Sequence, residues 1–459
     1  MSRRCPSSKC QPPHTDRLTS SKPNPHHHVS NKILVLGSGM VAPPCIEYLS
    51  RNSDNQITVA CRTLSAAEKL AAGYPRTTAI ALDVASEADL DKHVAAHGVV
   101  ISLIPYIHHV AVIKAALKSG THVVTTSYVS DAMRELDADA KHAGITRIDE
   151  IHSQGEKVLE FYSYCGGLPA PECADNPLGF KFSWSPRGAL LSQRNSARFL
   201  KNGSIEEISS DELMATAVPY HVVDGYDFVA YPNRNSVPSR DFYRIPEAHT
   251  VIRGSLRYKG NPEFVQALAN LGWLEQDNKA WLKDGMTWAE IQQKATGASS
   301  ADESALIARI KELARFPNEA EGERIIAGMK WMGILSPQKA TVVSGNLIDT
   351  LCAQLETLMS FGPGERDLVM LQHKFVVEWA DGQKETFTST LELLGDPDRY
   401  SAMAKSVGVT CGIATQLLLD GHPAIHKPGV WAPYTKDICD PIRELVEKEG
   451  IKVVERKVQ

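Results

Sequence analysis

The sequence Gly37-Ser38-Gly39-Met40-Val41-Ala42 follows the apolar run Ile33-Leu34-Val35-Leu36 directly and leads into a helical stretch through Ile46, Tyr48 and Leu49. Gly-x-Gly-x-x-Ala between a strand and a helix is the arrangement that holds a dinucleotide. Gly37 permits the tight turn, Gly39 lets the backbone approach a pyrophosphate, and Ala42 keeps helix and strand close. Exposed N–H groups and the helix dipole then hold the phosphates. Pro43 and Pro44 are tolerated because they fall in the first helical turn.

A second apolar run ends at Cys61-Arg62-Thr63. An NAD site usually places Asp or Glu there to accept from the ribose hydroxyls, and this chain offers a guanidinium and a hydroxyl instead. Arg62 fits a 2′-phosphate bidentately, so the expected cofactor is NADP; an exposed arginine at a strand end is the alternative. Asp83-Val84 closes the third run, where adenine is often held. Ile104-Pro105-Tyr106 and Thr126-Ser127-Tyr128 close the fourth and fifth, where a nicotinamide ring and a substrate would meet, with ordinary loop chemistry as the alternative. His108-His109 opens a helix with no third ligand in view and reads as solvated or capping. No metal site is expected, and no catalytic acid or base is assigned.

The elements that must position these residues alternate. Runs at 33–36, 57–61, 78–82, 99–104 and 123–126 read as strands, with helical stretches at 64–72, 86–96, 108–119 and 131–143. Strands alternating with helices of this length imply an α/β, doubly wound parallel sheet of Rossmann type, with ligands outside the carboxyl ends of the strands. Past residue 150 the rhythm changes. Residues 157–164 alternate as a strand and 165–172 read as a loop. Residues 179–184 read as a strand, 187–201 as a helix and 251–258 as a strand. Asp381-Gly382 between apolar runs at 375–379 and 385–390 is a hairpin signal. The expected division is an extension at 1–30, a nucleotide domain at 31–150, a mixed α+β domain at 151–259 and 337–401, and a helical insertion at 260–336. Residues 402–459 would pack back on the nucleotide domain. Two long apolar helices, 343–360 and 402–419, should pack deep. In the second domain Asn176, Ser185, Arg234, Ser255, Leu256 and Arg257 fall in loops or at strand ends. Two arginines there could clamp carboxylates, or be plain surface groups.

Composition sets the outer bounds. The 459 residues are 43% hydrophobic and 22% charged, which suits a globular protein with a substantial core. A net charge of −5, from 49 basic and 54 acidic residues, gives no reason to expect nucleic acid. No membrane partner is expected, since no apolar run approaches the ~18 residues a span needs. Nine cysteines without a Cys-x-x-Cys pair argue for free thiols in a reducing compartment, the cytoplasm. Residues 1–30, with a solvated His26-His27-His28 run and five Lys/Arg against Asp16 alone, read as a disordered extension.

Several stretches together resemble the saccharopine dehydrogenase family, and the resemblance covers essentially everything after residue 31. They are residues 35–41, 60–64, 100–106, 163–188 and 245–258. The most specific are Tyr164-Cys165-Gly166-Gly167-Leu168-Pro169-Ala170-Pro171-Glu172, Asp175-Asn176-Pro177-Leu178-Gly179 and Tyr231-Pro232-Asn233-Arg234. Cys61-Arg62-Thr63 is similar to the fungal, NADP-using branch. The resemblance implies a reaction in lysine biosynthesis: glutamate condenses with α-aminoadipate semialdehyde, and NADPH reduces the imine to saccharopine. It implies that Ser38, Gly39, Met40, Val41, Arg62, Thr63, Asp83, Val84, Ile104, Thr126 and Ser127 line NADP. It implies that Ser127, Tyr128, Ser185, Arg234, Ser255, Leu256 and Arg257 hold the saccharopine end. Saccharopine carries three carboxylates, which paired arginines suit. A homodimer is compatible with this reading.

One departure stands out. In the family, the strand at Gly144-Ile145-Thr146 continues into Asn-Glu-Ile-Gly-Leu-Asp-Pro-Gly-Ile-Asp-His and the start of a helix. Here Thr146 passes directly to Arg147-Ile148-Asp149-Glu150-Ile151-His152, which matches the helix after that run. The missing run carries an acidic loop facing cofactor and substrate. A message that encodes it would restore the family's site; without it, a catalytically impaired NADP-binding member is the alternative.

Overall fold

The computed structural model describes residues 30–127, 130–137, 157–183, 185–427 and 429–458. The extension at 1–29, Tyr128, and the junction after Thr146 lie outside the described residues.

The first sheet is parallel and five-stranded: β1 (Lys32–Leu36), β2 (Gln56–Cys61), β3 (Thr77–Ala81), β4 (Val99–Ser102) and β5 (His122–Thr125), in the order β3-β2-β1-β4-β5. Its helices are α1 (Ala42–Ser50), α2 (Leu64–Ala71), α3 (Glu87–Ala95), α4 (His109–Ser119) and α5 (Asp131–Glu135). Side chains alternate across a strand, so Ile33, Val35, Ile57 and Val59 enter one core with α1 and α2. Leu34, Leu36, Ala60 and Val100 enter the other with α3 and α4. Both faces are covered, which is why these strands read as unbroken apolar runs. The chain reverses its direction of winding between β1 and β4, and that switch point opens the crevice where such sheets bind ligands.

The second sheet has ten strands and is mixed. Its centre is β6 (Lys157–Pro169). The others are β7 (Ala197–Lys201), β8 (Ser204–Ile208), β9 (Val218–Pro219), β10 (Phe228–Pro232), β11 (Arg234–Asn235), β12 (Thr250–Tyr258), β13 (Asp367–Glu378), β14 (Lys384–Leu394) and β15 (Val454–Val458). β12 runs parallel to β6, and β13 runs antiparallel on its other side. One face of β6 carries Tyr164 and Leu168. With Ile252, Leu256, Leu368 and Met370 they form one continuous core with helices α6 (Pro186–Ser192), α7 (Asn261–Asn270), α8 (Trp288–Thr296), α9 (Glu303–Leu313), α10 (Glu319–Trp331) and α11 (Leu347–Met359).

Three expectations fail here, the first two because tertiary pairing overrides local composition. Residues 165–169, read as a loop for their glycines and proline, continue β6, because β13 pairs with them as far as Asp367 opposite Pro169. Residues 187–201 are not one helix; α6 ends at Ser192 and β7 begins at Ala197, held between β8 and β12. Residues 179–184 form no strand among the described residues, only a single bridge from Phe182 to Ser360. The Asp381-Gly382 hairpin is present, with Gly382 at φ 84° and Gln383 accepting from the Trp379 amide.

Helix α12 (Ala402–Leu419) joins the two halves. Its start is capped from β13: the buried Asp367 carboxylate accepts from the amides of Ala402 at 2.5 Å and Met403 at 3.0 Å. Ala402, Val409 and Ile413 pack on Val369, Leu391 and Leu393 of the second sheet. Cys411, Leu418 and Leu419 pack into the first domain. Among the described residues this is the one helix long and apolar enough to cross a membrane, contrary to the sequence expectation of no such run. Its apolarity is accounted for by cover on two sides. After it, β15 returns to the second sheet and pairs with β14, so residues 402–459 do not pack on the first domain as a whole.

The α1–α12 crossing is backbone to backbone. A Cβ on Gly408 would lie 2.4 Å from the Val41 carbonyl oxygen and 2.6 Å from Pro44 Cγ, and one on Gly412 would lie 3.1 Å from the Cys45 carbonyl oxygen. Gly408→Ala should therefore lower stability by about 1–3 kcal/mol through overpacking. Thermal or denaturant unfolding checks this; an unchanged midpoint would mean that the crossing has slack.

Candidate dinucleotide and substrate site

The glycine turn sits where the sequence places it. Gly37 has φ 107°, a conformation L side chains rarely adopt. Its amide donates to the Ala60 carbonyl at 2.9 Å, and a Cβ on it would press the Leu103 carbonyl oxygen at 3.1 Å. Gly39 differs: a Cβ there would meet nothing within 4 Å, so its backbone faces open space. The start of α1 has no side-chain cap. Pro43 and Pro44 carry no N–H, so an anion at this helix end would meet the amides of residues 38–41. These features fit a pyrophosphate.

At the end of β2, Ser38 Oγ donates to Cys61 Sγ at 3.4 Å, tying the turn to the neighbouring strand. Arg62 and Thr63 beyond it are exposed. Arg62 makes no hydrogen bond or ion pair among the described residues, so its five donors are open to a phosphate. At the end of β3, Asp83 is exposed and accepts from the Ala85 amide at 3.0 Å, while Val84 is half-buried against the Leu34 core. Past β4, Ile104 is half-buried, and Tyr106 and Ile107 are largely exposed at the mouth of the crevice.

Past β5, Thr126 is exposed and Ser127 half-buried. Beneath them lies a residue the sequence reading assigned to solvent or a cap. His109 is 2% exposed. Its Nδ1 lies 2.9 Å from Ser102 Oγ, and its Nε2 lies 2.8 Å from Ser127 Oγ and 3.1 Å from Thr125 Oγ1. Burial, and then the charge of His108, hold its pKa below the ordinary value. The available signal was a row of hydroxyls at the ends of adjacent strands, with one imidazole a helical turn away.

The second sheet supplies the facing wall. Register puts Ser163 and Cys165 of β6 beside Arg253 and Ser255 of β12 and opposite His373 and Leu371 of β13, all on the face turned toward α12. Cys165 is exposed, yet the surrounding protein pushes its thiol up, with Arg257 and then Arg253 opposing. Met403 reaches Gly167 and Gly408 reaches Val41. At 1.5 Å per residue, five helical residues set the nucleotide turn and this face roughly 7–8 Å apart along α12.

Of the residues expected at the saccharopine end, Arg257 and Leu256 are buried. The Arg257 guanidinium lies over the Phe180 ring at 5.3 Å and donates to the Leu256 carbonyl, while its Nε finds no partner. Leu256 points into the helical core, so its own side chain is structural. Ser255 Oγ accepts from Asn233 Nδ2 at 2.9 Å. Arg234 is exposed at φ 52°, a conformation that costs on the order of 1 kcal/mol for a side-chain-bearing residue. Ser185 caps α6, accepting from the Gly188 amide. Asn176 is spent on its own loop, bonding Leu178 and Phe180. A concavity of about 590 Å³ lies elsewhere, with Lys32, Gln56, Thr58, Thr77 and His97 at the amino-terminal ends of the first sheet's strands. Parallel sheets bind ligands at the opposite end of their strands.

A doubly wound nucleotide domain facing an arginine-bearing mixed sheet defines a two-domain, dinucleotide-dependent oxidoreductase. Residues 33–148 match the saccharopine dehydrogenase NADP binding domain, and residues 109–451 the saccharopine dehydrogenase C-terminal domain. The chain belongs to the saccharopine dehydrogenase family. It is 49% identical over 451 residues to a saccharopine dehydrogenase [NADP(+), L-glutamate-forming] of Pyricularia oryzae, covering 94% of this chain and 99% of that one. The corresponding Saccharomyces cerevisiae protein is also 49% identical, with 94% and 100% covered. The solved apo saccharopine dehydrogenase (L-Glu forming) from Saccharomyces cerevisiae superposes with a TM-score of 0.84 at 48% identity, covering 93% of this chain and 100% of that one.

His373 gives this face a pH dependence. Burial, then the charge of Arg253, lowers its pKa to about 4, and its Nδ1 is buried without a partner. Between pH 6.5 and 4 the unfolded ring binds a proton that the folded one refuses, so stability falls as pH is lowered through that window, by up to about 3 kcal/mol. His373→Phe, which can stack with Phe161 and Phe375, should flatten this part of the profile. Urea unfolding at a series of pH values decides it; a wild-type-like acid slope in the variant would assign the loss to other groups.

Proposed function

We propose that this chain is an NADP-dependent saccharopine dehydrogenase of the L-glutamate-forming kind, reducing the imine of glutamate and α-aminoadipate semialdehyde to saccharopine. The observation that carries this reading is near-half identity, end to end, with fungal relatives named for that activity. Identity sustained over 94% of the chain also speaks against the impaired alternative.

Bound NADPH supplies hydride. The chain's residues bind and orient. The amides of Ser38, Gly39, Met40 and Val41, on the turn that Gly37 and Cys61 fix, hold the pyrophosphate. Arg62 and Thr63 take the 2′-phosphate. Asp83, Val84 and Ile104 flank the base and ring, and Thr126 and Ser127 border the junction with the substrate. Arg234 and Arg257, with Ser127, Ser185, Ser255 and the Leu256 backbone, receive carboxylates; Tyr128 belongs to the same set by resemblance. Two guanidiniums suit a three-carboxylate product. Holding the imine against the nicotinamide supplies much of the rate. A reducing compartment such as the cytoplasm fits the described cysteines, all free thiols.

The experiment is the steady-state oxidation of NADPH and NADH in parallel, with glutamate and the semialdehyde. Wild type should prefer NADPH. Arg62→Ala should lose about 10- to 100-fold of that preference, the worth of a charge-assisted hydrogen-bond pair. NADP affinity by thermal shift without turnover would establish the impaired alternative, and no preference between cofactors would overturn the role of Arg62.

A further inference from the structure

We infer that His109 is a positioning residue that fixes Ser127 as a hydrogen-bond donor toward an oxygen acceptor of the bound ligand. The inference rests on the reading that Ser127 faces cofactor and substrate.

His109 is buried and its pKa is lowered, first by burial and then by His108, so the ring is neutral near pH 7. A neutral imidazole donates at one nitrogen and accepts at the other. The two tautomers have opposite consequences. With the hydrogen on Nδ1, the ring donates to Ser102 and Nε2 accepts, so Ser127 at 2.8 Å can spend its hydrogen inward. With the hydrogen on Nε2, the ring donates to Ser127 Oγ, and the Ser127 hydrogen points out into the crevice.

The surroundings favour the second tautomer. Ser102 is 0% exposed, and its hydroxyl bonds only His109 among the described residues, so it can donate to a bare Nδ1. Thr125 Oγ1, 3.1 Å from Nε2, already accepts from the Ser127 amide at 3.3 Å and holds that residue from its backbone side. The ligand groups that suit this corner are a carboxylate of the substrate or the carboxamide oxygen of the nicotinamide. Both accept. A Ser127 that donates inward would meet either with a lone pair. The chain of bonds therefore runs outward, from Ser102 O–H to Nδ1, from Nε2–H to Ser127, and from Ser127 O–H to the ligand oxygen.

The test uses the intact protein and two variants. A glutamine amide reaches the Nε2 place and can donate to Ser127; an asparagine amide reaches only the Nδ1 place. His109→Gln should retain most of the wild-type kcat/KM, whereas His109→Asn should lose ~10- to 100-fold, as misplacement of a contact group does. A rise in the NADPH Kd, measured by fluorescence without substrate, assigns the acceptor to the carboxamide. A rise confined to the KM for glutamate assigns it to a carboxylate. Nitrogen-15 NMR of wild-type His109 reads the tautomer whether or not the variants fold, and a protonated Nε2 with a bare Nδ1 is expected. A protonated Nδ1, or equal losses in the two folded variants, would overturn the inference. Wild type that fails to turn over glutamate and the semialdehyde would instead overturn the functional reading on which it rests.

Discussion

The crossing of α12 over α1 is the constraint on which the two-domain site depends. Glycine at 408 and 412 lets two helix backbones touch at the first turns of α1, where the nucleotide loop ends. The same helix starts on the Asp367 carboxylate of β13 and reaches Gly167 of β6 through Met403. A rigid element of known rise thus connects the glycine turn of the first domain to β6 of the second. Side chains at the crossing would push the two walls apart, and the separation between a hydride donor and its acceptor is what such an enzyme can least afford to lose.

The charges of the second domain are set by its backbone and burial. Arg257 is buried with one donor unpartnered, and Arg234 is held outward by a left-handed backbone. Guanidiniums stay charged even when buried, so Arg257 keeps a positive charge inside the second domain. His109 of the first domain and His373 of the second are each held below the ordinary histidine pKa by burial.

Much of the first domain was legible because its strands are covered on both faces. Such strands become short apolar runs, and the Gly-x-Gly-x-x-Ala turn fixes the start of α1 beside them. Helix 402–419 was legible for the same reason. The second sheet was harder. Gly166 and Gly167 suggest a turn by composition, yet they lie in a central strand, where a Cβ on Gly166 would lie 3.0 Å from the Leu256 carbonyl oxygen and one on Gly167 would meet the Met403 side chain. The break between α6 and β7 is set by partners brought from elsewhere in the chain, which no local window contains. That Arg62 stands just past a strand end could be read from the sequence. His109 could not, because its burial depends on hydroxyls contributed by two other elements.

The last strand of the ten-stranded sheet has an implication for assembly. β15 closes that side with Val454, Glu455, Arg456, Lys457 and Val458, every residue of it exposed, and Lys457 ion-pairs with Glu385 across the strand pair. An open β edge invites another chain to add itself. Three consecutive charged residues on this rim make such addition unfavourable, so a long mixed sheet can end in water without serving as a template for aggregation.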